Sequence, residues 1–509
     1  MTEHTLDLQD ASADSAQSRS AFVRSQVMQS WRELLPRLLP FADAATTELP
    51  IARLLRLSLF QVSVGMAGAL LTGTLNRVMI VELGVAAWLV ALMVSLPMLF
   101  APLRALIGFR SDTHRSALGW RRLPYFWFGT LLQFGGLAIM PFALLVLSGR
   151  GVGPVAVGQA GAALAFLLVG AGIHTTQTAG LALAGDLAPE HVRPRVIALL
   201  YVMLLVGLLT GGLLLGTLLA NAGPLRLIQV VQGTALATLL LNVIAVWRQE
   251  VRGPSNSQDP SPRPAFRAAW AEFAQRPGTR RFLVAVALGT AAFSMQDILL
   301  EPYGGEILHL GLGATSALTA LLAAGTLIAF GFSARQLTRN ADPYRIAAMG
   351  AFIGLFAFAA VIFAAPTDSP VLFYLGTFTV GIGGGLFSIG TLSAAMSLEQ
   401  DKGRGLVLGA WGAAQASAAG LGIALGGALR DLTAMLAQSG ALGTVLTDPS
   451  TGYAVVYHLE IGLLFMTLIA LGPLVRTRLA EESVLVGEAT TNSIGRSPKH
   501  TFGLAELPG

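Results

Sequence analysis

The sequence predicts an all-α polytopic membrane protein of twelve transmembrane helices in two six-helix halves, and three observations predict it. Charged residues make up only 12% of the 509 residues against 54% hydrophobic ones, with a mean hydropathy of +0.66; soluble chains carry about twice that charged fraction. Twelve segments each supply the roughly 20 apolar residues that cross about 30 Å of hydrocarbon as a helix. Of 33 Lys and Arg, only Arg77, Arg150, Arg226 and Arg430 fall on the side reached by the odd-numbered spans. The opposite side is therefore the positive one, and both termini are expected in the cytoplasm. A β-barrel is not expected, because its strands would run about ten residues with alternating polarity.

In chain order, residues 1–50 form a cytoplasmic tail without a signal-peptide core, so the first span is expected to direct insertion. Within it, Phe22, Val23, Val27, Trp31, Leu34, Leu35 and Leu38 recur at helical intervals among Arg24, Arg32 and Arg37. That pattern fits either an interfacial helix or a tail without fixed structure. The first half, 51–247, holds spans at 54–76, 85–107, 123–148, 155–183, 196–220 and 225–247, each long and apolar enough to cross. Residues 248–280, rich in Pro and Ser and then Arg, read as a cytoplasmic linker. The second half, 281–478, holds spans at 281–301, 311–334, 344–365, 370–397, 405–429 and 453–475, and 479–509 form a polar cytoplasmic tail without a periodic pattern.

The halves echo each other. With an offset of 220 residues, Asn76 matches Gln296 and Arg77 matches Asp297; Arg195 and Arg404 both open a glycine-dense span. The pI near 9.9 is topological, since the basic residues line one side of the membrane, and nucleic-acid binding is not expected. The chain has no cysteine, which excludes disulfides, thiolate metal sites and cysteine nucleophiles. Walker, HExxH, GxSxG and CxxC patterns are missing and the aspartates are scattered singly. No catalytic residue and no metal site is assigned, and an enzyme is the least favoured of the readings.

Two sets of residues stand out before any resemblance is invoked. A charged side chain at membrane depth costs several kcal/mol unless paired or wet, which singles out Arg77, Asp297 and Glu301. Asp297 and Glu301, four apart, share a helix face. With Asn76 and Gln296 beside them, these residues are expected to form a charge pair or gate between the halves, Arg77 reaching Asp297 or Glu301. The second set is the loop from Gly108 to Arg122, which crowds Asp112, Arg115, Arg121 and Arg122 into a short turn around Gly119. An aspartate there can accept backbone N–H bonds at a helix start and pair with arginines, so the loop is expected to latch one conformation of the bundle.

That loop, with twelve spans in two halves, resembles the signature between spans 2 and 3 of the major facilitator superfamily. A narrower resemblance lies in Ser111 to Phe142, Leu75 to Leu83, Gln296 to Glu306 and Gly409 to Gly420: these segments are similar to the PucC/LhaA family of phototrophic bacteria, over about residues 50 to 478. The resemblance implies a facilitator-like fold and a role in assembling a light-harvesting antenna complex, either as chaperone for antenna polypeptides or by delivering bacteriochlorophyll. It further implies residence in the bacterial inner, intracytoplasmic photosynthetic membrane. The implied partners are antenna polypeptides, the bacteriochlorophyll synthesis machinery or the reaction-centre core complex, and the lipid bilayer. Bacteriochlorophyll a as a bound ligand needs a nitrogen or oxygen donor for its magnesium. The candidates are His174 and Gln177 on span 4, Gln133 on span 3, Gln229 and Gln232 on span 6, Gln415 on span 11, and His458 with Glu460 on span 12. His174 leads, beside Gly170 and Gly172, which are expected to leave room for a ring. The glycine runs 207–216, 381–390 and 420–427 read as close-packing faces or as smooth walls for a flat tetrapyrrole. The aromatic residues Trp120, Tyr125, Phe126, Trp127 and Phe128 read as an interfacial anchor or a pigment contact. The competing function is an alternating-access transporter of a hydrophobic or anionic small molecule, proton-coupled through Asp297 and Glu301.

Overall fold

The computed structural model describes residues 46, 49–100, 120–149, 153–189, 192–220, 224–250, 275, 278–337, 339, 341–397, 404–443 and 446–494. These residues form helices and short connections. In chain order the helices are α1 (Ile51–Glu82), α2 (Ala87–Met98), α3 (Leu123–Leu147), α4 (Val155–Leu187), α5 (Arg193–Leu218), α6 (Pro224–Val246), α7 (Thr279–Glu306), α8 (Leu312–Leu337), α9 (Pro343–Ala364), α10 (Pro370–Ser397), α11 (Arg404–Gln438) and α12 (Ser450–Ile494).

Eleven of them are long and apolar enough to cross a membrane, and α2 is a shorter apolar helix. The expected second span ran to residue 107; its later part lies outside the described residues. The last helix runs past the expected end of its span. From Arg476 the chain is rich in Ala, Glu, Leu and Arg, good helix formers, and regular structure continues to Ile494. The N-terminal 22–41 pattern lies outside the described residues, as does the linker from 251 to 274.

Helix pairing follows the glycines. A Cβ on Gly129 would stand 2.6 Å from the Thr176 backbone nitrogen, and one on Gly350 2.5 Å from the Gly383 carbonyl, so α3 rides on α4 and α9 on α10 backbone to backbone. The pairings repeat at an offset of six helices: α1 with α5 and α7 with α11, α1 with α6 and α7 with α12, α3 with α6 and α9 with α12. Between the halves the symmetric contacts are α2 with α11 and α5 with α8.

Two helices are irregular where they meet. The second part of α1 winds as wide π turns over Ala69–Leu75 and Val78–Glu82. There Thr72 Oγ1 donates to the Gly68 carbonyl at 2.9 Å, and the Asn76 amide donates to the Thr72 carbonyl. In α7 the chain tightens to a 3-10 turn at Gln296–Ile298 and restarts at Leu300. Pro302 explains the break: it lacks an N–H, and its ring would strike the carbonyl four residues earlier, that of Ile298.

Candidate functional site

The bundle end away from the termini is sealed between the halves. On one side α5 meets α8: a Cβ on Gly212 would stand 2.7 Å from the Ala320 nitrogen, and one on Gly216 2.9 Å from the Gly313 carbonyl. On the other side α2 meets α11, where a Cβ on Gly427 would stand 2.7 Å from the Ala87 carbonyl. The Asp431 carboxylate accepts the Trp88 backbone N–H at 2.8 Å, capping α2 from the opposite half. Thr74 and Ser316 hydroxyls bond across the same boundary at 3.0 Å.

Beneath the α5–α8 seal lies a cavity of about 270 Å³ bounded by α1, α5, α7, α8 and α10. Thr72, Gln296, Asp297, Glu301, Thr319 and Thr326 give it a polar wall, and leucines of α5 and α8 with Phe293 and Val380 give the apolar one. Glu301 is 3% exposed; its Oε1 accepts from Thr319 Oγ1 at 2.9 Å, and Oε2 has no hydrogen-bond partner. Asp297 accepts from the Gln296 side-chain amide. No Lys or Arg lines the cavity. It is an acidic compartment, suited to a proton, a cation or a hydrogen-bond donor.

Of the five residues expected at the gate, Gln296, Asp297 and Glu301 line the cavity and Asn76 and Arg77 do not. Asn76 bridges the halves by donating to the Asp297 backbone carbonyl at 2.9 Å. Arg77 corrects the expectation: its ion pair is with Glu82 of its own helix at 3.1 Å, and it donates to the Leu310 carbonyl at 2.9 Å, in place of Asp297 or Glu301. The π turns account for this, since i→i+5 winding brings residues five apart onto one face. Arg77 still joins the halves, through a backbone carbonyl.

Of the latch residues, Gly108, Asp112, Arg115 and Gly119 lie outside the described residues, whereas Arg121 and Arg122 are described. The acceptor at the start of α3 is Glu250, whose Oε1 takes the Arg121 and Arg122 N–H groups at 2.7 and 3.1 Å and whose Oε2 takes that of Leu123 at 2.9 Å. Arg122 pairs with Asp186 at the end of α4 at 3.0 Å, and Arg53 of α1 donates to the Gln249 side chain and carbonyl at 3.0 and 2.7 Å. Sequence reasoning missed Glu250 and Asp186. An acidic residue just past the end of an apolar span is the only signal either left.

The pigment-ligand candidates do not converge. Gln133 donates to Ser63 and Gln177 to Gln61, both at 3.2 Å, so both belong to a buried amide and hydroxyl network joining α1, α3 and α4. Gln415 is half-buried beside Ser388 at 3.5 Å. Gln229 and Gln232 are exposed. His174 is half-buried, but the room expected beside it is filled: a Cβ on Gly170 would meet the Pro97 ring and one on Gly172 the backbone of Gly129 and Gln133. His458, expected to be buried, is exposed on the outer face of α12, with Nδ1 2.7 Å from the Ala454 carbonyl; Glu460 is buried on the opposite face. Nor does the cavity fit a tetrapyrrole. Pockets for drug-sized ligands span about 300–1,000 Å³, and a tailed tetrapyrrole is larger still. The residues lining this cavity therefore do not fit bacteriochlorophyll. The glycine runs serve close helix packing, with Gly207 on Val62, Gly381 on Leu322 and Gly422 on Ala291.

The chain matches the profile of a family described as "PUCC protein" over residues 74–479. It is 54% identical over 473 residues to a Rhodobacter capsulatus protein described as an "uncharacterized protein in puhA-bchM intergenic region", covering 92% of this chain and 97% of that one. It is 55% identical over 402 residues to Protein PucC of Rhodovulum sulfidophilum, covering 78% of this chain and 88% of that one. Among solved structures it resembles a bacterial homologue of the human lysosomal transporter Spinster in an inward-facing, unoccupied conformation, with a TM-score of 0.62 at 15% identity, covering 84% of this chain and 97% of that one. That likeness shows the fold, the multi-pass facilitator arrangement expected from the sequence.

Proposed function

This chain belongs to the PUCC protein family, and from that membership we propose that it acts in assembling a bacterial light-harvesting antenna complex, without enzymatic chemistry of its own. It does so as a chaperone of antenna polypeptides or by handing over bacteriochlorophyll. The observation that carries this reading is the extent of the match, which takes in both halves and nearly the whole of each relative. The physical need is plain: a free tetrapyrrole is insoluble and photoreactive, and a short antenna helix has little to pack against until its pigments arrive. The small, acidic cavity supports a reading in which clients are met on the outer, lipid-facing surface, with the exposed His458 as the nitrogen donor for any bound pigment. We place the protein in the bacterial inner membrane with both termini in the cytoplasm, as the arginine distribution supports.

The test is isolation of the tagged full chain from native photosynthetic membranes. Antenna polypeptides are expected to co-purify, with or without the synthesis machinery or the reaction-centre core, and vesicles should show no solute flux. A second reading, alternating-access transport, is favoured by one observation: an acidic cavity beneath a seal between the halves. Flux abolished by Asp297→Asn or Glu301→Gln, with no antenna association, would establish that reading instead.

A further inference from the structure

Between α7 and α12 lies a carboxyl group that the assembly reading leaves unused. Glu460 stands roughly 15 Å below the start of α12 at 1.5 Å per residue, and Asp297 at a similar depth from the end of α7, near the middle of a ~30 Å hydrocarbon layer. Glu460 is 0% exposed, and neither of its carboxyl oxygens has a hydrogen-bond partner. Across the α7–α12 contact, the charged group that acts on it is the Asp297 carboxyl of the 3-10 turn. Among the described residues, the elements packed against α12 are α7, α9 and α11; the arginines of α7, Arg280 and Arg281, lie in its first turn, about 24 Å along the helix from Asp297 at 1.5 Å per residue, and Arg281 donates to the Ala470 and Ile469 carbonyls of α12. On α7, Tyr303 donates to the Val361 carbonyl, and Glu306 is bound by Arg430. On α11, Arg430 is committed to Glu306, Asp431 and the Tyr453 hydroxyl, with its guanidinium 4.7 Å over the Tyr453 ring. The titratable groups of α9, Tyr344 and Arg345, sit at its opposite end. On α12 itself, Tyr457 is buried with an unbonded hydroxyl, and His458 faces outward. Arg77 is held by Glu82 and Leu310. An ionised carboxylate left so far from water and from any cation costs many kcal/mol.

We propose that Glu460 and Asp297 form a proton-binding site, Glu460 held as the neutral acid and Asp297 exchanging protons between it and the cavity. Asp297 lines the cavity and Glu460 does not, so a proton entering Glu460 passes first to an Asp297 carboxylate oxygen and then to a Glu460 oxygen, and leaves by the reverse route. Loss of the proton would set two like charges face to face across the α7–α12 contact, at the place where Pro302 already breaks α7. Proton occupancy thereby governs how α7 packs against α12. The inference does not depend on the antenna reading, and its test needs neither pigment nor client.

The experiment is infrared spectroscopy of the purified full chain in lipid nanodiscs, exchanged between H₂O and D₂O across pH. The wild type is expected to show the carbonyl stretch of protonated carboxylic acids at neutral pH, to which Glu301 also contributes, and Glu460→Gln should remove one component of it. Asp297→Asn should keep the band but slow its deuterium exchange by roughly 10²-fold, the order lost with a positioned proton acceptor. Wild-type melting temperature should fall as pH rises to alkaline values, and Glu460→Gln should flatten that fall, which loss of packing alone would not do. A protonated-carboxyl band left wholly unchanged by Glu460→Gln, or exchange of the Glu460 component unchanged by Asp297→Asn, overturns the proposal. So does a wild type without any such band whose stability follows sodium concentration. If Glu460→Gln does not fold, the wild-type band and the Asp297→Asn exchange rate decide the matter by themselves.

Discussion

Gly216→Val should open the sealed end of the bundle. A Cβ at that position would stand 2.9 Å from the Gly313 carbonyl and 3.5 Å from the Ala317 side chain, well inside van der Waals contact with a backbone atom that cannot rotate away. Overpacking of this kind costs about 1–3 kcal/mol. The strain falls only on the closed arrangement, because α5 and α8 belong to different halves and meet there. The balance between closed and open forms should therefore shift by roughly 5- to 150-fold. The chain has no cysteine, so a single Ala323→Cys in the cavity wall is a clean reporter. In sealed vesicles, a membrane-impermeant maleimide added on the side away from the termini should label Ala323→Cys slowly, and many times faster when Gly216→Val is present. Unchanged labelling in a variant that folds and melts like the parent would refute the claim that this contact holds the end shut.

Glu250→Ala leaves the N–H groups of Arg121, Arg122 and Leu123 at the start of α3 without their acceptor; loss of such a cap costs about 0.5–2 kcal/mol and should lower the melting temperature of the purified protein, with Glu250→Gln intermediate. The charge swap Arg77→Asp with Asp297→Arg should recover none of the stability lost by the single changes, whereas Arg77→Glu with Glu82→Arg should recover part of it, because the ion pair runs within α1. His458→Leu should reduce any bacteriochlorophyll that co-purifies with the chain while His174→Leu leaves it unchanged, as read from pigment absorbance per protein.

The spans were legible because hydrocarbon thickness dictates them: an uninterrupted apolar stretch of some 20 residues has few other solutions. Asp297 and Glu301 were legible for a related reason, since a carboxyl group inside a span is costly and needs a wet or paired setting; both line the cavity. The partner of Arg77 was not, because helical spacing hides a residue five positions on, and only the π turns bring Glu82 round to it. The break in α7 carried its signal in Pro302. The cap on α3 left only an acidic residue just past the end of an apolar span, and nothing local tied it to α3, because Glu250 lies 127 to 129 residues from the N–H groups that donate to it. The expectation of room beside His174 failed for the same reason. Gly170 and Gly172 mark close approach, and sequence cannot tell whether a ring or a neighbouring helix fills the space; here Pro97 and the α3 backbone do.

The measurement that bears most directly on the assembly role is near-infrared absorption of photosynthetic membranes from the native host with this gene deleted, normalised to the reaction centre. The account predicts selective loss of one antenna band while pigment synthesis stays competent, restored by the intact gene. A spectrum unchanged by the deletion would contradict it.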